Sequence, residues 1–355
     1  SFMYKSHIFF LFLFIYACST NDEKKELKSD IFVLSEKIKN DPDNINLLLE
    51  RIAINKGKGY LESMLYDYKQ IILLDSLNFN FHFNIAEIYF ELSKKKDANP
   101  QYPALVKYHL EKSINLNLNY YKSHALMGEL MLAYAVFNSD NYKKAIDFLN
   151  TSLELNYNQE RTHMLLGYTF KQLGKEDDAI NCFSNSINVN PDFYESYVQL
   201  GQIFHLRKDT LAVVYYNNAL RIDSNNSILL YNKALFYQDM KQWNKSLDAY
   251  AQLHKVDPFN SNGHYNLGFI HMELGLYDLA VNNFSDAIYS NSEFYEAYYS
   301  RGNCFENLGN ILQAESDYKR AIEINPKYNF AIEALESLNK KNNKYNKKNE
   351  YTRTN

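Results

Sequence analysis

Glycine recurs along this chain at a spacing that few folds can use. Gly167, Gly201, Gly268 and Gly302 lie 34, 67 and 34 residues apart, and Ala234 divides the 67 into 33 and 34. From Gly167, Gly268 and Gly302 a second glycine follows seven residues on, at Gly174, Gly275 and Gly309. Twelve residues on stand Ala179, Ala280 and Ala314, and sixteen on stand Phe183, Phe284 and Tyr318. Pro191, Pro258 and Pro326 follow Gly167, Ala234 and Gly302 by 24 residues each. A fixed period of this length marks a chain built by stacking one helical or strand unit many times.

Scarcity makes the pattern informative. In 355 residues there are 31 Tyr and 23 Phe but only 11 Gly and 6 Pro. So few turn-makers argue against an all-β or α/β fold. In a 34-residue frame that puts Gly302 at position eight, nine of the eleven glycines fall on positions eight or fifteen. Four of the six prolines fall on position thirty-two, counting Pro42 ahead of the first unit. Small residues at eight, twenty and twenty-seven let two helix axes approach while aromatics fill the space beside them. Glycine at fifteen supplies a left-handed turn, and proline at thirty-two cannot continue the second helix.

The spacing and residue types resemble the tetratricopeptide repeat, a helix–turn–helix unit; the last unit carries Gly302, Phe305, Ala314, Tyr318, Ala321 and Pro326 on the family's positions. The resemblance implies an all-α fold, a right-handed superhelical solenoid of eight repeats starting near 45, 79, 121, 160, 194, 227, 261 and 295. The repeat from 79 carries eight extra residues around Asp97–Tyr102, and that from 121 carries five around Asn138–Asn141. The fifth lacks a turn residue near Lys208 and Asp209 and has no glycine at fifteen. The first is degraded, with Gly59 at fifteen and Ser76 at thirty-two. Residues 30–44 and 329–339 are expected to be capping helices, and 340–355 a disordered Asn/Lys-rich tail.

Residues 1–17 read as an export signal: Lys5, the apolar run from Ile8 to Phe14, then Ala17 before Cys18. Met3 is read as the start, with Ser1 and Phe2 before it. Ile15-Tyr16-Ala17-Cys18 resembles a bacterial lipobox, which implies that Cys18 is lipidated and that residues 18–29 are a tether. Acyl chains bury about 0.8 kcal/mol per CH₂, so several anchor firmly. The acidic residues that follow resemble export signals of Bacteroidota lipoproteins. The expected location is the outer membrane or cell surface, with a secreted or periplasmic soluble protein as the alternative.

Several function classes are disfavoured. A net charge of −4 gives no reason to expect nucleic acid. No phosphate loop, nucleophile elbow or paired metal-ligand motif occurs, so an enzyme, a cofactor and a metal are not expected. His82, His124, His163 and His264 all occupy position four and read as packing residues, and Cys182 and Cys304 as buried small hydrophobes.

In the family, positions two, five, nine, twelve and thirteen line a groove. Carried over, this makes Tyr231, Tyr265 and Tyr299 an aromatic ladder at position five, joined by Phe269 and Tyr168. Glu195, Asp239, Glu273, Glu296 and Glu306 supply acids, whereas Lys122, Arg161 and Lys171 give the earlier groove mixed sign. Position five reads Phe83, Ala125, Met164, Val198, Tyr231, Tyr265 and Tyr299 from the second repeat on, without the Lys or Arg of the family's carboxylate clamp. The expected activity is a non-enzymatic scaffold for a neutral or basic extended peptide, held by ring stacking and cation–π contact. The alternative is a SusD-like glycan-binding lipoprotein, a family that carries its sugar site on insertions longer than any here.

Overall fold

The computed structural model describes residues 21–353, with side chains described from Asp30 to Lys341. Cys18 and the 1–17 segment lie outside the described residues. Every regular element among the described residues is an α-helix. The chain divides after Asn158 into two compact units. The first unit holds α1 (Asn21–Asn40), α2 (Ile45–Lys58), α3 (Leu61–Leu74), α4 (Phe79–Ser93), α5 (Tyr102–Leu116), α6 (Tyr121–Ala135) and α7 (Asp140–Leu155). The second opens with α8 (Glu160–Gln172), α9 (Glu176–Val189), α10 (Tyr194–Leu206), α11 (Leu211–Ile222), α12 (Ser227–Asp239) and α13 (Trp243–Val256). It closes with α14 (Ser261–Glu273), α15 (Tyr277–Ser290), α16 (Tyr295–Asn307), α17 (Ile311–Ile324) and α18 (Asn329–Arg353).

First helices therefore start at Ile45, Phe79, Tyr121, Glu160, Tyr194, Ser227, Ser261 and Tyr295, the residues at which the 34-residue frame begins each unit. Each packs chiefly on the second helix of its own pair and then, within its unit, on the helices that flank it in sequence. Asparagine caps several starts: the side chains of Asn44, Asn226 and Asn260 accept from the backbone N–H of Leu47, Leu229 and Gly263. The two insertions are partly absorbed as helix, since α4, α5 and α6 have 15 residues and α7 has 16, against 13 and 14 in the last repeat. Pro103 sits in the first turn of α5, where a missing N–H costs no helical hydrogen bond.

The turn after the first helix uses the left-handed region at position fifteen in six of the eight repeats; the two that carry insertions leave α4 and α6 through right-handed Lys94 and Val136 instead. Gly59, Gly174, Gly275 and Gly309 have φ of 71°, 72°, 73° and 80°. In the fifth and sixth repeats Lys208 and Lys241 occupy the same place, at φ 55° and 54°. The turn is thus kept where the glycine is absent, at the steric penalty a Cβ meets there.

The terminal helices run beyond the expected bounds. α1 begins at Asn21 rather than 30, through the Glu- and Lys-rich stretch from Glu23 to Lys28, which is good helix former. α18 continues to Arg353 rather than ending at 339, because no Gly or Pro after Asn329 stops it. Leu34 and Ile38 of α1 join the core of the first unit.

Candidate functional site

Position eight is small because position twenty-four lies on it. A Cβ at Gly201 would stand 2.5 Å from the ring of Tyr216, and one at Gly268 2.7 Å from that of Phe284. That contact seats each first helix against its partner, with positions five and twelve beside position eight on the helix surface and nine and thirteen about 100–140° round it. Hydroxyl pairs then tie one repeat to the next. Ser113 meets Ser123 and Ser196 donates to Ser186, each at 2.8 Å and with all four side chains buried.

The position-five tyrosines lie in these junctions and are half-buried. The Asn266 amide, one repeat on, donates to the hydroxyl of Tyr231 at 3.0 Å and also to that of Tyr250. The hydroxyl of Tyr265 reaches Ser300 in the following repeat at 3.4 Å, and its ring lies 5.0 Å from Phe294 and 5.4 Å from Phe284. Tyr299 packs among Tyr318, Tyr328 and Phe330 at 5.9, 5.5 and 6.2 Å, and burial raises its phenol above the ordinary range. The ladder therefore joins repeats rather than standing free.

The acids divide into two groups. Glu195 and Glu273 are exposed and enter no ion pair among the described residues. The others are engaged. Asp239 Oδ2 is 3.0 Å from Nε2 of His205, one repeat earlier. Glu296 is half-buried beside Tyr295, whose phenol it holds above the usual range. Glu306 accepts from the Tyr318 hydroxyl at 3.0 Å and from the Lys341 ammonium at 2.8 Å. Phe269 is half-buried and Tyr168 is 42% exposed. Of the basic residues, Lys122 is exposed, and Lys171 donates to Gln199 and Gln202 at 2.8 and 3.4 Å.

The position-four histidines serve the turn before them. Nε2 of His82, His124 and His264 meets the carbonyl oxygens of Ser76, Leu118 and Pro258 at 3.1, 2.8 and 2.9 Å. A carbonyl only accepts, so each Nε2 carries the proton. The Nδ1 atoms of His82 and His109 lie 3.0 Å apart, so that one ring donates to the other. Burial first, and the His82 ring second, depress His109 to about 4. No group of three or more His, Cys, Asp or Glu among the described residues is placed to hold a metal ion. Cys182 and Cys304 are free and buried.

One constellation escaped the reading of the sequence. The Arg301 guanidinium donates to Asp317 through Nε and Nη2, both at 2.8 Å, and through Nη1 to Ser285 at 3.0 Å. Arg51 repeats this with Asp67 at 2.9 and 2.6 Å and with Ser35 at 3.2 Å. In both cases Ser stands sixteen residues before Arg and Asp sixteen after. A search for an Arg/Asp pair recurring at one spacing in the repeat frame would have found it. Because Ser285 belongs to α15, Ser35 puts α1 in the place of the second helix of a preceding repeat.

Comparison with known proteins follows the geometry. Residues 160–193, 261–294 and 295–328 match the tetratricopeptide repeat, which spans three of the helix pairs described above. The chain therefore carries tetratricopeptide repeats. It is 22% identical over 314 residues to a TPR repeat-containing protein of Methanocaldococcus jannaschii, covering 82% of this chain and 53% of that one. It is 23% identical over 179 residues to anaphase-promoting complex subunit 3 of Schizosaccharomyces pombe, covering 50% and 26%. The chain thus spans between a quarter and about half of the length of these curated relatives. Among solved structures, it is similar to YrrB, described as a TPR protein with an unusual peptide-binding site. The identity there is 16% and the TM-score 0.45, covering 53% of this chain and 97% of that one. The first TPR of Spaghetti (RPAP3), bound to an HSP90 peptide, is 23% identical with a TM-score of 0.31, covering 32% and 90%.

Proposed function

We propose that this chain is a non-enzymatic scaffold that binds a neutral or basic extended segment of a protein along the first helices of its last four repeats. Repeats of this family are in general protein-binding scaffolds. The observation that carries the finer reading is the contact of Lys341 with Glu306. α18 follows the last repeat as a further first helix would, and its lysine puts an ammonium on a groove carboxylate of the repeat before it. Glu195 and Glu273 are the same chemistry without a cation, and half-buried Phe269 lies one turn before Glu273 on the same helix. A basic peptide laid across these positions would find carboxylates to pair with and half-buried rings to cover.

The position-five tyrosines contribute by shaping this face, because the hydroxyls of Tyr231 and Tyr265 bond across the repeat junctions and the ring of Tyr299 packs on Tyr328 and Phe330. Replacing them therefore tests stability and binding together. Glu273→Gln separates the two, as its side chain bonds to nothing among the described residues.

The test is fluorescence anisotropy with extended peptides that differ only in Lys, Gln or Glu at alternate positions. The lysine series is expected to bind best, to weaken with salt as exposed charge pairs do, and to weaken again with Glu195→Gln and Glu273→Gln. Equal binding of the glutamate series would sink the proposal.

We further propose that the scaffold is tethered through lipid on Cys18 in the bacterial envelope, as the lipobox-like sequence supports. Incorporation of labelled palmitate that persists in Cys18→Ala would exclude this.

A further inference from the structure

The two Arg–Asp–Ser constellations differ in what covers the guanidinium. Around Arg301, the rings of Tyr298 and Phe305 lie 5.6 and 5.9 Å from the guanidinium carbon. These are positions four and eleven of the last repeat. In the first repeat the same positions are Leu48 and Asn55, and no aromatic ring among the described residues lies over Arg51. In place of the rings there is a cavity of about 590 Å³ in the first unit, lined by Ser35, Arg51, Asn55, Tyr60, Tyr66 and Asp67.

Two features suit this cavity to a ligand. Asn55 is only 5% exposed, yet its carboxamide makes no hydrogen bond among the described residues, although it lines the cavity wall. Its donor and its acceptor are both free to bond a matching group that enters the cavity. The Arg51 guanidinium spends its edges on Asp67 and Ser35, which leaves its faces for stacking. With Asp67 beside it the pair is neutral overall, and the other acid of the lining, Glu62, is paired with Lys95, so a charged ligand gains little.

We propose that this cavity receives an aromatic side chain from a partner polypeptide. The ring stacks on Arg51 where Phe305 covers Arg301 in the last repeat, and the adjoining peptide group exchanges hydrogen bonds with the carboxamide of Asn55. The exposed rings of Tyr60 and Tyr66 line the entrance. The volume exceeds that of one aromatic residue, about 200 Å³, and lies within the usual range of binding pockets. A peptide is favoured over a free aromatic molecule because Asn55 offers one donor and one acceptor, the complement of a peptide unit. The site lies in the first unit and is independent of the acidic face proposed above.

The experiment titrates the full chain with acetyl-Gly-Phe-Gly-amide and its Tyr, Trp, Leu and Lys counterparts, followed by saturation-transfer NMR. The aromatic peptides are expected to bind about fivefold more tightly than the leucine peptide, with saturation strongest on the ring protons. Asn55→Phe, which installs the residue of the last repeat, is expected to abolish binding without lowering the melting temperature. Tyr66→Ala, a change at an exposed side chain, is expected to weaken binding severalfold while Glu273→Gln leaves it unchanged. Leucine binding as well as phenylalanine, no detectable binding by any peptide, or undiminished binding in both Asn55→Phe and Tyr66→Ala would each overturn the proposal. Adenosine or benzyl alcohol matching the aromatic peptides and displacing them would assign the cavity to free aromatic molecules instead.

Discussion

The ring of Tyr318 rests on the backbone of Gly302 so closely that a Cβ there would stand 2.8 Å from the ring. Tyr318 is 1% exposed and its hydroxyl donates to Glu306, so the ring has no room to turn aside. Gly302→Ala is expected to lower stability by about 1–3 kcal/mol, as overpacking does. Faster amide exchange in α16 and α17 than in the parent protein would register it, and unchanged exchange would refute it.

Lys241 holds a left-handed turn that glycine holds in four other repeats. A Cβ in that region carries a penalty of roughly 1–2 kcal/mol, part of which glycine returns through its freer unfolded chain. Lys241→Gly is therefore expected to raise stability by up to about 1 kcal/mol. A lowered melting temperature would show that the lysine side chain does something else there.

The Arg301–Asp317 pair is mostly shielded, with side chains 20% and 8% exposed. Removing one partner leaves the other charge desolvated and unpaired. Asp317→Asn is expected to lower stability by about 3 kcal/mol. Replacing both residues with apolar groups of similar volume is expected to lower it by less. Equal losses from the single and double changes, in urea unfolding, would contradict this.

His109 gives the fold a dependence on pH. Its folded value is about 4, against 6.5 for an ordinary imidazole. The unfolded chain therefore binds the proton first as pH falls, and stability declines from about pH 6.5 to about 4. Below that both states are protonated and the contribution is flat. His109→Leu is expected to show a shallower decline across this window in denaturant midpoints measured at several pH values; an identical profile would remove His109 from the account.

Cys182 and Cys304 are 8% and 0% exposed, and burial pushes their thiols up to about 11 and about 12. A thiol attacks as the thiolate. Both are expected to resist iodoacetamide at neutral pH in the native protein and to react fully in denaturant. Peptide mass spectrometry after timed quenching reads each site separately.

Helix boundaries were legible because a few residues carry mechanical duties that no other residue performs. Gly302 must admit Tyr318, Gly309 must turn left-handed, and Pro326 must end a helix, so these positions reveal where α16 starts. The helix ends at Asn21 and Arg353 were not legible, since nothing in those stretches either requires or forbids another turn. The candidate face was legible only as a set of positions. Repeat numbering places Tyr265 and Glu306 toward the groove, but it does not say that Tyr265 spends its hydroxyl on Ser300, or Glu306 on Tyr318 and Lys341. Nor does it bring His82 to His109, because the eight-residue insertion between them hides their register.

The Arg–Asp–Ser constellations occur in the first and the last repeat. A repeat at either end has a whole repeat on one side and only a single helix, α1 or α18, on the other, so it is the first to come undone. Each arginine ties its own two helices together and reaches the helix before them. They act as the stitches that finish a seam, and cutting either one should let the fabric ravel inward from that end while the far end holds.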